Sequence, residues 1–191
     1  EYEGFRIPMD EARPRFKEGI EIIQRGLTQP TFEYDGQFFK IPRTSIRPAP
    51  ISHPETRFYG SANSPESAKL IASSGLGLLI VMHNEWEKAA HEVYDFHAYA
   101  MEAGHTPRPP IILTNVSCAV SRDEAQDRAV TWLGKKWDSV DNHYRFSDGG
   151  LSNVKGYEAY SKIGRTYAKM NDMGYRSRMT DTYVRIQIVG T

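Results

Sequence analysis

Arg57-Phe-Tyr-Gly-Ser-Ala-Asn-Ser-Pro-Glu-Ser67, with Leu78-Leu-Ile-Val-Met82 close behind, is the stretch on which the fold turns. Residues 57–62 read as a short strand. Ser64 then offers a side-chain oxygen to the free N–H groups of a helix start, and Pro65 falls at the first helical position, where its missing N–H does no harm. Ala68, Ile71 and Ala72 share one face of that helix, and Gly75 ends it. Leu78–Met82 is apolar throughout, as expected of a strand covered on both faces. Strand, helix and strand in this order form a βαβ unit, with parallel strands and a right-handed crossover.

Toward the C-terminus the pattern repeats. A helix over about 85–103 carries Trp86, Ala89, Ala90, Val93 and Ala100 as its buried face and stops at Gly104. Ile111–Val120 reads as a third strand. Ser121-Arg-Asp-Glu124 has the capping-box spacing and opens a helix with Ala125, Ala129, Trp132, Leu133, Trp137 and Val140. Residues 57–141 thus hold three strand–helix units, whose strands should lie adjacent, parallel and in chain order. Residues 142–182 show no clear period and are rich in Gly, Ser, Tyr and Arg, so they are expected to be a mobile lid or insertion. Residues 183–191 start a closing section.

Toward the N-terminus, residues 31–56 form a hairpin and a proline-punctuated connector, with Asp35-Gly36 as a type I′ turn signal. Residues 1–30 are read as a helix, capped by Asp10, whose buried stripe is Phe16, Ile20, Ile23 and Leu27. The class is α/β. Three units are too few to close a barrel of about 250 residues. With no Met at position 1 and an apolar run just before Thr191, the chain is expected to be one section of a longer barrel domain.

Composition narrows the function. Of 191 residues 39% are hydrophobic, enough to build a core. Lys plus Arg and Asp plus Glu both count 24, leaving no basic surplus for a nucleic acid or an anionic membrane. The longest apolar run, Leu76–Met82, is far short of the roughly 20 residues of a spanning helix. One cysteine, Cys118, forms no internal disulfide and suits a reducing cytoplasm.

Gly60-Ser-Ala-Asn-Ser-Pro65 is the strongest local signal, because it joins the carboxyl end of a parallel strand to a helix start. Unpaired N–H groups and the positive end of the helix dipole favour a phosphate there, and the hydroxyls of Ser61 and Ser64 add donors. An ordinary capped turn without a ligand has the same sequence. His91-Glu-Val-Tyr-Asp-Phe-His97 lacks the second histidine four positions on that a helical zinc site needs, so no metal site is expected. Cys118 reads as a small buried hydrophobe. Trp132 and Trp137 read from spacing as core residues, with flavin stacking a lesser alternative.

Taken in order, several stretches resemble the luciferase-like monooxygenase family, which includes the bacterial luciferase alpha chain. They are Glu1–Pro8, Arg15–Ile23, Phe32–Phe39 with Ile41-Pro42, Phe58–Ser67 with Ala72 and Gly75–Leu79, Trp132–Ser139 and Val189-Gly-Thr191. The resemblance implies a (β/α)8 TIM barrel that binds FMN, reduced by a separate flavin reductase, at the carboxyl ends of its strands. It implies a flavoprotein monooxygenase using dioxygen on a small organic substrate, in the cytoplasm and as a homodimer at full length. Carried over by position, Gly60, Ser61, Ala62 and Ser64 would hold the flavin phosphate, Val81 and Met82 would border the ring system, and Trp137 would lie near the pocket. At the position of Met82 luciferase has tryptophan. No residue here matches the family's catalytic histidine, so no catalytic residue is assigned. A deazaflavin-dependent oxidoreductase and a non-catalytic flavin-binding protein of the same fold are the alternatives.

Overall fold

The computed structural model describes residues 2–50, 52–82, 84–149, 160–173 and 188–190. The chain divides into two compact units, one of Glu1–Val81 with Glu87–Leu113, the other of Met82–Trp86 with Thr114–Thr191.

In the first unit, α1 (Tyr2–Phe5) and a 3-10 turn (Met9–Glu11) lead into α2 (Ala12–Thr28). Asp10 falls inside that turn rather than at a cap. Glu11 is the N-cap residue of α2, without a side-chain cap bond. Its carboxylate instead reaches Arg15 one turn on, at 2.7 Å. The stripe expected to be buried is only partly so: Phe16 and Ile23 are 38% and 48% exposed, and Ile20 and Leu27 are half-buried. The opposite face of α2, which carries Glu18, Glu21 and Arg25, meets the hairpin.

That hairpin is β1 (Phe32–Asp35) and β2 (Lys40–Thr44), antiparallel, with Asp35 opposite Lys40. Its connection is a four-residue loop, 36–39, and not a two-residue type I′ turn. The Glu18 carboxylate explains the loop: it accepts the backbone N–H groups of Gln37, Phe38 and Phe39 at 2.7, 3.0 and 3.1 Å. Gly36 lies close under this carboxylate, where a Cβ would crowd Glu18 Oε2 and the ring of Tyr34. Burial opposes ionisation of Glu18, yet the three N–H donors, helped by Arg15, hold its carboxyl below the ordinary value.

After a second 3-10 turn (Pro54–Arg57) come β3 (Tyr59–Ser61), α3 (Pro65–Ser73), β4 (Gly77–Val81), α4 (Trp86–Glu102) and β5 (Ile111–Leu113). The strands form one parallel sheet in the order β3-β4-β5, with Gly60 beside Leu78 and Ile80 beside Ile112. Leu76, Leu78 and Ile80, on one face of β4, are buried with Ile71 and Ala72 on the inner face of α3 and form a core, while Leu79 and Val81 on the other face are half-buried. Ser64 caps α3 as expected, accepting the Ser67 N–H at 3.2 Å, and Gly75 and Gly104 follow their helices at φ of +69° and +81°. The buried face of α4 differs from the expected one. Phe96 is 1% exposed and lies with Ala89 and Ala100 at i, i+7 and i+11, whereas Trp86 is 42% exposed and Ala90 is exposed too.

The amino edge of this sheet is tied by Arg108. Its guanidinium donates to the carbonyls of Glu55 and Gly75 at 2.8 and 2.7 Å and lies 5.3 Å from the Tyr59 ring centre. The Tyr59 hydroxyl donates to the Pro109 carbonyl at 3.3 Å.

The expected third strand, 111–120, is two short strands with different partners. Ile111–Leu113 pairs with β4, and β6 (Val116–Cys118) pairs in parallel with β7 (Ile188–Gly190) in the second unit. Thr114-Asn115 separates them. α5 (Arg122–Tyr144) runs back along β6, as its bonds show: Ser117 Oγ donates to Ala125 O, and Lys136 Nζ to Asn115 Oδ1. Ser121 Oγ accepts the Glu124 N–H at 3.2 Å, while the Glu124 side chain turns to Arg128 at 2.6 Å instead of completing the capping box. Ala129, Val130 and Leu133 form the core of α5; Trp132, expected among them, is 65% exposed.

Part of the stretch read as lacking a period is helical: α6 spans Tyr160–Asn171. Tyr160, Ile163, Gly164 and Tyr167 recur at helical spacing, a signal hidden by the surrounding Gly and Arg. Asp141, 8% exposed, joins α6 to the end of α5, accepting from Ser147 N, Ser147 Oγ and Asn171 Nδ2 at 2.8, 2.6 and 2.7 Å. Burial works against its charge, and these donors nevertheless keep its carboxyl below the ordinary value. The remainder of the expected lid, 150–159 and 174–182, lies outside the described residues.

Candidate functional site at the carboxyl edge of the parallel sheet

In a parallel sheet the carboxyl ends of the strands, and the helix starts that follow them, present unpaired donors to a ligand. The turn from β3 to α3 occupies such an edge, and four of the seven expected site residues are in it. Gly60 is buried, and a Cβ there would meet Ile71 Cδ1 at 2.2 Å. Its glycine is therefore demanded by the packing of α3 on β3, a reason the sequence did not reveal. Ser61 ends β3 and is exposed. The Ala62 N–H donates to Leu79 O at 3.4 Å and so prolongs the pairing with β4. Asn63 is exposed, and Ser64 has the extended φ and ψ of an N-cap, −142° and 155°.

Val81 ends β4 at the same edge. Ser61 is level with Leu79, so Val81 lies two residues, about 7 Å, farther along the neighbouring strand. These five residues share one edge of one sheet. Met82 and Trp137 belong to the second unit. Met82 is 4% exposed. Trp137 packs on the cluster of Ala129, Val130 and Leu133, with its ring centre 4.5 Å from that of Tyr167.

The donors at the turn suit a phosphate: a hydroxyl on Ser61, exposed backbone at Asn63 and the positive end of a nine-residue helix. One residue that sequence reasoning passed over qualifies this fit. Glu66 stands in the first turn of α3. The backbone N–H groups at the helix start and the nearby Ser64 hydroxyl hold its carboxyl below the ordinary value against burial, with further help from Arg13 and Lys69. An acid two residues after an N-cap serine was the available signal.

A cleft of 580 Å³ along α5 is lined by Lys135, Asp138, Ser139, Asn142 and His143. All five belong to one helix, so the cleft lacks the converging walls that enclose a flavin. Among the described residues no three His, Cys, Asp or Glu side chains converge as a metal requires. No described helix is long and apolar enough to cross a membrane.

Comparison with known proteins gives the chain its relatives. Over 130 residues the chain is 26% identical to the oxygenase component of a flavin-dependent trigonelline monooxygenase from Acinetobacter baylyi, a match covering 66% of this chain and 36% of the relative. A monooxygenase from Streptomyces bottropensis is 28% identical, with a TM-score of 0.52 over 66% of this chain and 40% of that one. An F420-dependent secondary alcohol dehydrogenase, solved with an F420–acetone adduct, shares the fold at 16% identity, with a TM-score of 0.63 over 96% of this chain and 50% of its own. The chain thus spans half the length of these relatives or less. The profile of the luciferase-like monooxygenases matches from residue 1 to residue 191, and the chain belongs to that family.

Proposed function

We propose that this chain supplies the phosphate-binding edge of a (β/α)8 TIM barrel acting as a flavin-dependent monooxygenase on a small organic substrate. The observation that carries the proposal is the β3–α3 turn: a parallel strand ends in the exposed Ser61 and passes within three residues to a capped helix start. FMN is the cofactor this edge fits, with its phosphate at Gly60, Ser61, Ala62 and Ser64. When bound, reduced flavin supplies the electrons that reduce one atom of dioxygen to water while the other enters the substrate. Gly60 keeps α3 close to β3, Ser61 and the turn's backbone donate to the phosphate, and the helix dipole favours its charge. Val81 prolongs the edge toward the ring system. Roles for Met82 and Trp137 there rest on the family resemblance alone. The Acinetobacter relative is named as an oxygenase component, which supports a separate flavin reductase as partner.

Ser61→Asp tests the site in the full-length protein. A like charge beside the phosphate should weaken FMN binding at least tenfold, about 1.4 kcal/mol. Unchanged affinity in a fluorescence titration would remove the turn from the cofactor site. The fold shared with the F420-dependent dehydrogenase favours a second reading, hydride transfer with a deazaflavin. Parallel titrations with FMN and F420 separate the two.

A further inference from the structure

The base and the tip of the β1–β2 hairpin are held to α2 by unlike means. The base is plugged into the helix. Phe32 is 7% exposed, and at the buried Gly26 a Cβ would come within 2.9 Å of Ile46 Cδ1 and 3.1 Å of the Phe32 ring. The tip is held by polar groups. The Gly36 N–H closes the loop on the Phe39 carbonyl at 2.9 Å, and the next three N–H groups, of Gln37, Phe38 and Phe39, converge on the Glu18 carboxylate. Successive N–H groups turned to one side make a concave site for an anion. Arg15 stands beside it, its guanidinium carbon 4.4 Å from the Phe38 ring centre. Between base and tip the ladder is irregular: Phe32 faces Thr44 and Tyr34 faces Ile41, so two steps on β1 span three on β2. The extra residue falls beside Pro42, which has no N–H to give the ladder.

We propose that the hairpin is a hinged arm whose tip is a carboxylate site: Glu18 is the tethered occupant, and the tip lets go of it by bending at the irregular step while the base stays plugged into α2. Apolar burial at the base survives the bend, so the open arm is a state of the folded protein and not a step in its unfolding. On the tip side of the bend, what is given up besides the Glu18 clasp is again polar, the bond from the Tyr34 hydroxyl to Glu21 at 3.0 Å. With Glu18 away, the three N–H groups are left to donate to another carboxylate, and the loop keeps its own closing bond from Gly36 to Phe39. The ligand class of the open tip is therefore the one its resident belongs to. The inference is independent of where the cofactor binds.

Chemical rescue in the full-length protein is the test, read by amide exchange in buffer free of other carboxylates. In Glu18→Ala, exchange at Gln37, Phe38 and Phe39 should accelerate about tenfold or more, as expected when bonds to a charged acceptor are lost, while Phe32 stays within about twofold of the parent. Sodium acetate should then restore protection at the three tip amides, and sodium chloride at the same ionic strength should not. Unchanged exchange at the tip removes the clasp, and equal acceleration at Phe32 shows the hairpin opening in one piece; either result overturns the hinged arm. Recovery in both salts, or in neither, overturns the carboxylate site. The parent gives a reading that needs no variant to fold. Under low denaturant its tip amides should exchange at a rate that hardly depends on denaturant, because bending exposes little surface, while Phe32 follows global unfolding. A tip that follows the global slope overturns the proposal.

Discussion

The hairpin with its helix α2 and the sheet β3-β4-β5 with its helix α3 belong to one compact unit, yet they are held together by different means. In the sheet, apolar side chains meet apolar side chains: Ile71, Leu76, Leu78 and Ile80 are each 5% exposed or less. At α2, Phe16 and Ile23 of the apolar stripe are exposed and Ile20 and Leu27 only half-buried, and the hairpin is gripped by one carboxylate on three backbone N–H groups. Tyr34 adds a bond to Glu21, also on α2, at 3.0 Å. An apolar pattern shows which face of a helix is apolar. It does not show what that face meets, nor that a neighbour is held by the other face.

The contrast is most easily broken by truncating one buried residue of the unit, on α4, and one exposed residue of the α2 stripe. Phe96→Ala, at 1% exposure, should cost about 3–5 kcal/mol in denaturant unfolding. Ile23→Ala, at 48%, should cost below about 1 kcal/mol. A loss at Ile23 as large as that at Phe96 would mean that another surface covers the α2 stripe in solution, and the contrast would vanish.

A smaller effect probes the β3–α3 contact. Gly60→Ala puts a Cβ against Ile71, which is 2% exposed and has little room to yield, so about 1–3 kcal/mol should be lost. Much of this should return when Ile71→Val is added, because the atom approached most closely, Cδ1, is then absent. No recovery in the double variant would mean that the strain lies in the backbone of β3 and not between these side chains.

The smallest effect is local and depends on pH. Because the folded Glu18 carboxyl titrates below its ordinary value of 4.5, its contribution is fully present above that value and is lost as pH falls through the lowered one. Amide exchange at Gln37, Phe38 and Phe39, corrected for intrinsic rates, should accelerate below pH 4.5 in the parent. In Glu18→Ala those amides should be unprotected at every pH. Equal protection in both proteins would show that the loop holds its shape without the carboxylate.

Much of the sheet was legible because its chemistry is local. Residues 78–82 are apolar at every position, and Ser64, Ser121, Gly75 and Gly104 mark helix ends through bonds and φ values that depend on residues within one turn. What escaped was carried by distant or polar partners. Glu18 reaches a loop 19 to 21 residues away, and Asn171 reaches Asp141 across 30 residues, distances at which no period connects them. Asp35-Gly36 has the residues of a type I′ turn, yet Gly36 lies beside the Glu18 carboxylate in a four-residue loop. The break at Thr114-Asn115 was invisible because Ile111–Leu113 and Val116–Cys118 both have strand composition and differ only in partner. At the candidate site, Ser61 and Ser64 stood out because hydroxyls at a strand–helix junction are conspicuous. Glu66 did not, since one more acid on an exposed helix start resembles ordinary solvation.

Arg108 gives the sheet a division of labour along its length. At the amino edge its guanidinium links two carbonyls from different segments and the ring of Tyr59, so a change there disturbs three pieces of chain together. At the carboxyl edge, Ser61, Asn63 and Glu66 are exposed. Inheritance can therefore act on the two edges separately. Change at the exposed Ser61 and Asn63 leaves the core untouched, whereas Gly60, the Ser64 cap and Arg108 are each answerable to the packing of the unit.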